Sequence, residues 1–224
     1  MASDLPPFKA DENTLSIRVL RCLNVCFSRI YHHVEVRTPC RLPRRGAGII
    51  VCNHISGVDP VLIQAVSPRL IRWMMAREYY AQPGLKWLLD RVGIIPVDRS
   101  GRDLAATRAA LEALKNGYIV GIFPEGRIEP TRELLPFLNG IVLLAAKSGA
   151  PIYPAYLDGT QRGKEMPRAQ IEPQRARLSF GEPFHLTRAR SGREHISEAT
   201  AMIQNSVEKL RIAEVERSRI EHYY

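Results

Sequence analysis

The chain has 224 residues, 45% of them apolar and 25% charged, enough to bury one full core and suited to a single globular domain. Its 32 Lys plus Arg against 23 Asp plus Glu leave a formal charge of +9, which favours anionic partners such as nucleic acid, acidic lipid headgroups or phosphorylated small molecules. With no Cys/His finger, aromatic RNA-binding strand or base-reading basic helix, nucleic acid is set aside; without a signal sequence or a run of about 18 apolar residues, secretion and bilayer spanning are set aside too, which leaves a cytoplasmic setting.

Residues 1–14 are polar with two prolines and read as a flexible leader. Residues 15–31 then carry helical periodicity. Leu15, Val19, Leu20, Leu23, Cys26, Phe27, Ile30 and Tyr31 share one broad face, Arg18, Arg21, Ser28 and Arg29 the other, with Ile17 and Val25 as exceptions. This amphipathic segment, bounded at 15–33, fits a helix lying in an anionic membrane surface and equally a helix packed on a core. The four cysteines, Cys22, Cys26, Cys40 and Cys52, form no CxxC pair and have no histidine at zinc-finger spacing, so neither a metal site nor a disulfide framework is expected.

From 34 to 224 short apolar runs alternate with amphipathic stretches. Strands are predicted at 48–52, 71–76, 94–97, 118–123, 152–156 and 176–180, and helices at 60–66, 83–92, 103–116, 138–148 and 193–217. Ser100 and Asp103 have capping-box spacing, and Gly117 stands where the helix before it should stop. Ile196, Ala199, Ile203, Val207 and Leu210 form a docking stripe on the last helix. The alternation implies an α/β domain, a mostly parallel mixed sheet flanked by helices. Residues 159–174, rich in Gly, Pro, Lys and Arg, read as an exposed loop near the active side.

The sharpest local feature is Asn53-His54-Ile55-Ser56-Gly57-Val58-Asp59-Pro60, directly after the first predicted strand. A histidine at a strand end with a carboxylate five residues on can donate from one ring nitrogen and keep the other as a general base. If the substrate brings the hydroxyl, no protein nucleophile is needed. Two other readings fit the same spacing: Asp59 as a helix N-cap before Pro60, with His54 an ordinary loop residue, and Ser56 as a hydrolase nucleophile, although no GxSxG elbow surrounds it. A second block, Phe123-Pro124-Glu125-Gly126-Arg127, follows the fourth predicted strand. Its glycine permits close backbone approach, its arginine suits phosphate or carboxylate oxygens, and Glu125 is expected to fix that arginine.

Over about residues 48–184 the sequence resembles the glycerolipid acyltransferases typified by 1-acylglycerol-3-phosphate O-acyltransferase. Asn53, His54 and Asp59 match that family's Asn-His-x4-Asp (HxxxxD) block, and Phe123 to Gly126 its Phe-Pro-Glu-Gly block. Gly93 to Arg99 looks like its Gly-x4-Asp-Arg block, Arg77 like the basic residue upstream of it, and the strand around Pro154 like its fourth block. The resemblance implies His54 as base, Asp59 as its orienter with Asn53 supporting, and Arg77, Arg99, Glu125, Gly126 and Arg127 around the acceptor phosphate. It implies no cofactor and no metal, a lysophospholipid acceptor, acyl-CoA or acyl-carrier protein as donor, and peripheral association with an anionic membrane surface in phospholipid biosynthesis. Two departures concern the headgroup. Arg127 follows Gly126 directly where the family usually has Thr between them, and Pro136-Phe137-Leu138-Asn139-Gly140 lacks the family's Lys. The acceptor is therefore open between 1-acylglycerol-3-phosphate and another lysophospholipid such as lysophosphatidylethanolamine, with a non-catalytic acidic-phospholipid-binding protein as a further alternative.

Overall fold

A computed structural model describes residues 14–221 except 83, 100–102, 130, 132, 167 and 187–192. The leader expected at 1–14 therefore lies, apart from Thr14, outside the described residues, as does Ser100. Seven strands, β1 (Glu35–Val36), β2 (Gly48–Cys52), β3 (Ile71–Ala76), β4 (Ile95–Val97), β5 (Ile119–Ile122), β6 (Ile152–Asp158) and β7 (Arg177–Phe180), form one sheet in the order β1-β7-β6-β2-β5-β3-β4. The five from β6 to β4 are parallel; β7 runs antiparallel to β6, and β1 pairs parallel to β7.

Both faces of this sheet are covered, which is why its central strands read as unbroken apolar runs. In β2, Ile50 and Cys52 enter one core layer with Leu62, Ile63 and Trp73, while Ile49 and Val51 enter the other with Ala109, Ala113, Ile141 and Val207. The covering helices are α1 (Leu15–Cys26), α2 (Asp59–Val66), α3 (Arg77–Tyr80), α4 (Lys86–Val92), α5 (Leu104–Lys115), α6 (Gly140–Ser148), α7 (Arg168–Ile171) and α8 (Arg193–Glu221). On α8 the predicted stripe does dock, with Ile203 and Val207 fully buried. Arg37, Arg177 and Arg217 surround the buried Glu214 of the same helix and hold it to the sheet edge.

Several boundaries differ from expectation for local reasons. The helix predicted over 83–92 begins only at Lys86, after the separate turn of α3, because Gly84 takes a left-handed φ of 82° between them. Asp103 is the N-cap of α5, its carboxylate accepting from the Ala106 N–H, so it is not the third helical residue of a box begun at Ser100. Gly117, at φ 77°, ends that helix as expected. The segment 159–174 is not a simple exposed loop: it contains α7 and buries Thr160, Ala169 and Gln174.

The N-terminal helix is turned opposite to the core-packed alternative. Part of its polar side faces the protein, with Arg21 donating to the Ser67 carbonyl, Asn24 to the Val61 carbonyl, and Ser28 fully buried, while Arg18 and Arg29 are exposed. Ile17, the exception on the helical wheel, is only 1% exposed and supplies the apolar anchor. Leu15 (76% exposed), Val19, Leu23 (62%) and Ile30 face outward, and the helix ends in a π-helical turn, Phe27–Tyr31.

Candidate active site

His54 leaves the C-terminal end of β2, the strand at the middle of the sheet. Asn53 keeps it there. The Asn53 side chain donates to the Leu157 carbonyl at 2.9 Å and accepts the Leu157 N–H at 2.8 Å, so its buried amide ties β2 to β6 and its support is structural. His54 Nδ1 lies 3.0 Å from Asp59 Oδ2, and that oxygen also accepts the N–H groups of Ile55 and Ser56, each at 2.8 Å. The helix-cap alternative fails here: Val58 is the cap position, and the fully buried Asp59 carboxylate turns back to the loop instead of forward to the helix. With Nδ1–H donated to a carboxylate, Nε2 carries the lone pair a general base needs.

The ring itself is held by stacking. His54 lies over Phe123 at 4.1 Å between centroids and 16°, and Phe123 lies over Trp73 at 4.8 Å and 7°. The stack requires Gly121, since a Cβ there would come within 2.4 Å of the Trp73 ring. Ser56, the alternative nucleophile, is fully buried, and its hydroxyl is directed at the Lys164 carbonyl, 3.5 Å away.

Glu125 does not fix Arg127. Its carboxylate turns inward, accepting the backbone N–H of His54 at 3.2 Å and that of Leu135 at 3.4 Å. Gly126 explains the separation: at φ 72° it reverses the chain, and Arg127 leaves on the exposed side. Burial pushes the Glu125 carboxyl up to about 7, against the pull of the two N–H donors. A side chain on Gly126 would meet Leu138, the residue that stands where the family's block has its lysine.

Arg77 and Arg99 follow adjacent strand ends, β3 and β4, and both are exposed. Arg77 is 3.9 Å from Asp103 and Arg99 is 3.7 Å from Glu78, loose pairs that leave the guanidinium groups open to an anion. Strand order puts His54, the 123–127 turn, Arg77 and Arg99 in sequence along one edge of the sheet. At the usual strand spacing that edge spans about 14 Å. Ligand sites of parallel sheets lie at this carboxyl edge. Gly93, the first residue of the Gly-x4-Asp-Arg block, has an internal role: at φ 75° it leaves room for the buried Arg72 guanidinium, which a Cβ would overlap at 1.5 Å.

One residue of the site has no signature in the local sequence. Thr160, just beyond β6 and 5% exposed, donates its hydroxyl to Asp59 Oδ1 at 3.1 Å. Only the parallel pairing of β6 with β2 brings it to the motif, 101 residues away.

Residues 33–158 match the acyltransferase family. The chain belongs to that family, and so to the O-acyltransferases by class. This acyltransferase is 31% identical over 153 residues to the 1-acyl-sn-glycerol-3-phosphate acyltransferase of Bacillus subtilis, covering 68% of this chain and 74% of that one. It is 28% identical over 137 residues to the lyso-ornithine lipid O-acyltransferase of Pseudomonas aeruginosa, covering 61% and 51% of the two chains. It spans between 35% and 51% of the length of seven curated relatives other than the Bacillus protein. The crystal structure of a 1-acyl-sn-glycerophosphate acyltransferase from Thermotoga maritima superposes with a TM-score of 0.68 at 25% identity, over 87% of this chain and 80% of that one.

Proposed function

We propose that this acyltransferase moves a fatty acyl group from an acyl thioester, acyl-CoA or acyl-carrier protein, to a glycerol hydroxyl of a lysophospholipid. The observation that carries the reading is the contact of His54 Nδ1 with Asp59 Oδ2, which supports Nε2 as the base. His54 removes the proton of the acceptor hydroxyl as that oxygen attacks the thioester carbonyl; the tetrahedral intermediate collapses, the thiol leaves, and the proton returns to it from the imidazolium. Backbone N–H groups or a nearby cation stabilise the oxyanion. Neither a metal nor an organic cofactor is required. Arg77, Arg99 and Arg127 hold the acceptor phosphate, and Glu125 and Gly126 shape the turn beneath it.

The leading acceptor is 1-acylglycerol-3-phosphate, supported by the relatives of that name. Leu138 in place of a cation and the lyso-ornithine relative support a second reading, a lysophospholipid with a different headgroup such as lysophosphatidylethanolamine. The outward apolar residues of α1, flanked by the exposed Arg18 and Arg29, support peripheral attachment to the anionic cytoplasmic face of a membrane; no described helix is long and apolar enough to cross one. The deciding experiment is a radiolabelled transfer assay with purified protein, both donors, and a panel of lysophospholipids with glycerol 3-phosphate. Transfer to 1-acylglycerol-3-phosphate above all others supports the first reading. Preference for an amine headgroup supports the second, and vesicle binding without transfer to any acceptor removes both in favour of a lipid-binding protein.

A further inference from the structure

The first half of the segment 159–174 lies against the catalytic loop. The Gly163 N–H donates to the Ile55 carbonyl at 2.9 Å, the Gly57 N–H donates to the Lys164 carbonyl at 2.8 Å, and Ser56 and Lys164 pair as an isolated β-bridge. Gly57 has no room for a side chain, since a Cβ would stand 2.7 Å from the Met166 backbone nitrogen. The segment is also closed on itself: the buried Gln174 accepts the Gln161 N–H at 2.7 Å and donates to the Ala169 carbonyl at 3.1 Å. Its far side is held as well, by the Tyr31 hydroxyl on the Ile171 carbonyl.

Of these contacts, one reaches the catalytic pair itself. Asp59 Oδ2 is shared by three N–H donors, and a carboxylate held through one oxygen alone could still pivot about it and tilt out of line with His54 Nδ1. The Thr160 hydroxyl takes Oδ1 from the opposite side, inside the core, and removes that freedom. We propose that residues 159–174 are a strap that positions the His54–Asp59 pair, and that Thr160 is the positioning residue through which it acts. Thr160 touches no reacting atom, and a catalytic consequence rests on the acyltransferase reading above. The hydrogen bond is to a charged group, so its loss is expected to lower kcat by about 10- to 100-fold while KM for donor and acceptor stays within about twofold.

The test compares wild type with Thr160→Val, which keeps the shape but removes the hydroxyl, and Thr160→Ser, which keeps the hydroxyl. Thr160→Ala replaces the valine variant if that one does not fold. Steady-state transfer is measured beside the downfield His54 Nδ1–H proton resonance, read by NMR on histidine-labelled protein. Loss of kcat and broadening of that resonance in the valine variant, both restored by serine, support the strap. An unchanged kcat and resonance in the folded valine variant, or equal impairment in the serine variant, overturn it. If wild type transfers to no acceptor, the acyltransferase reading fails, and the resonance still decides whether Thr160 positions the pair.

Discussion

Asp59 accepts four hydrogen bonds, from His54, two backbone amides and Thr160, while the nearby Glu125 accepts two and is likewise buried. Two carboxyl groups of the same site thus do different work. Asp59 orients the imidazole; Glu125 fixes the backbone of His54 and is pushed up to about 7 by burial. A folded-state value above the unfolded 4.5 means the folded chain keeps a proton the unfolded chain has released, so Glu125 contributes stability below about pH 4.5 that is lost as pH rises through 7. Urea midpoints at pH 5 and pH 8 are expected to fall more steeply for wild type than for Glu125→Gln, which cannot ionise. Equal pH dependence of the two would remove the buried-carboxyl assignment. The His54–Asp59 pair was legible because its partners lie five residues apart, whereas the role given to Glu125 was not: nothing local distinguishes a glycine that merely permits a turn from one whose left-handed φ turns Arg127 away from its neighbour.

At the level of elements, the parallel strands deliver every candidate residue to one edge, and that edge was readable from the alternation of apolar runs and amphipathic stretches. The contacts between distant elements were not. Trp73 on β3 and Phe123 beyond β5 are 50 positions apart, and their stack under His54 depends on register, Trp73 opposite Gly121. Thr160 is hidden for the same reason. Gly121→Ala forces a Cβ into the Trp73 ring and is expected to cost about 1–3 kcal/mol, or roughly 2–4 °C of melting temperature per kcal/mol in a chain of this size. Because the displaced ring carries Phe123 and His54 with it, activity should fall by more than the loss of folded protein accounts for. Melting curves beside specific activity check this, and an alanine variant with unchanged activity would show that the stack does not hold the base.

Across the whole molecule, charge and apolar exposure meet on the N-terminal helix. Its periodicity was plain in the sequence, but periodicity cannot tell which face is docked. The polar face won because Arg21 and Asn24 satisfy carbonyls at the two ends of α2, Val61 and Ser67, while Ile17 fills the core. If the outward face meets lipid, Val19→Asp with Leu23→Asp should reduce sedimentation with anionic vesicles about tenfold or more, two charges in an apolar contact being strongly unfavourable. The melting temperature should hardly change, since both side chains are already exposed. Undiminished vesicle binding would move the membrane contact elsewhere on the chain.

The proposed chemistry rests on one nitrogen, His54 Nε2. The most direct measurement is the rate of acyl transfer by His54→Ala beside wild type, at matched fold content by circular dichroism and melting temperature. If His54 is the base, the loss is about 10²- to 10⁴-fold or more, the range a positioned general base contributes, with the fold intact. Turnover retained in a folded His54→Ala protein would contradict it.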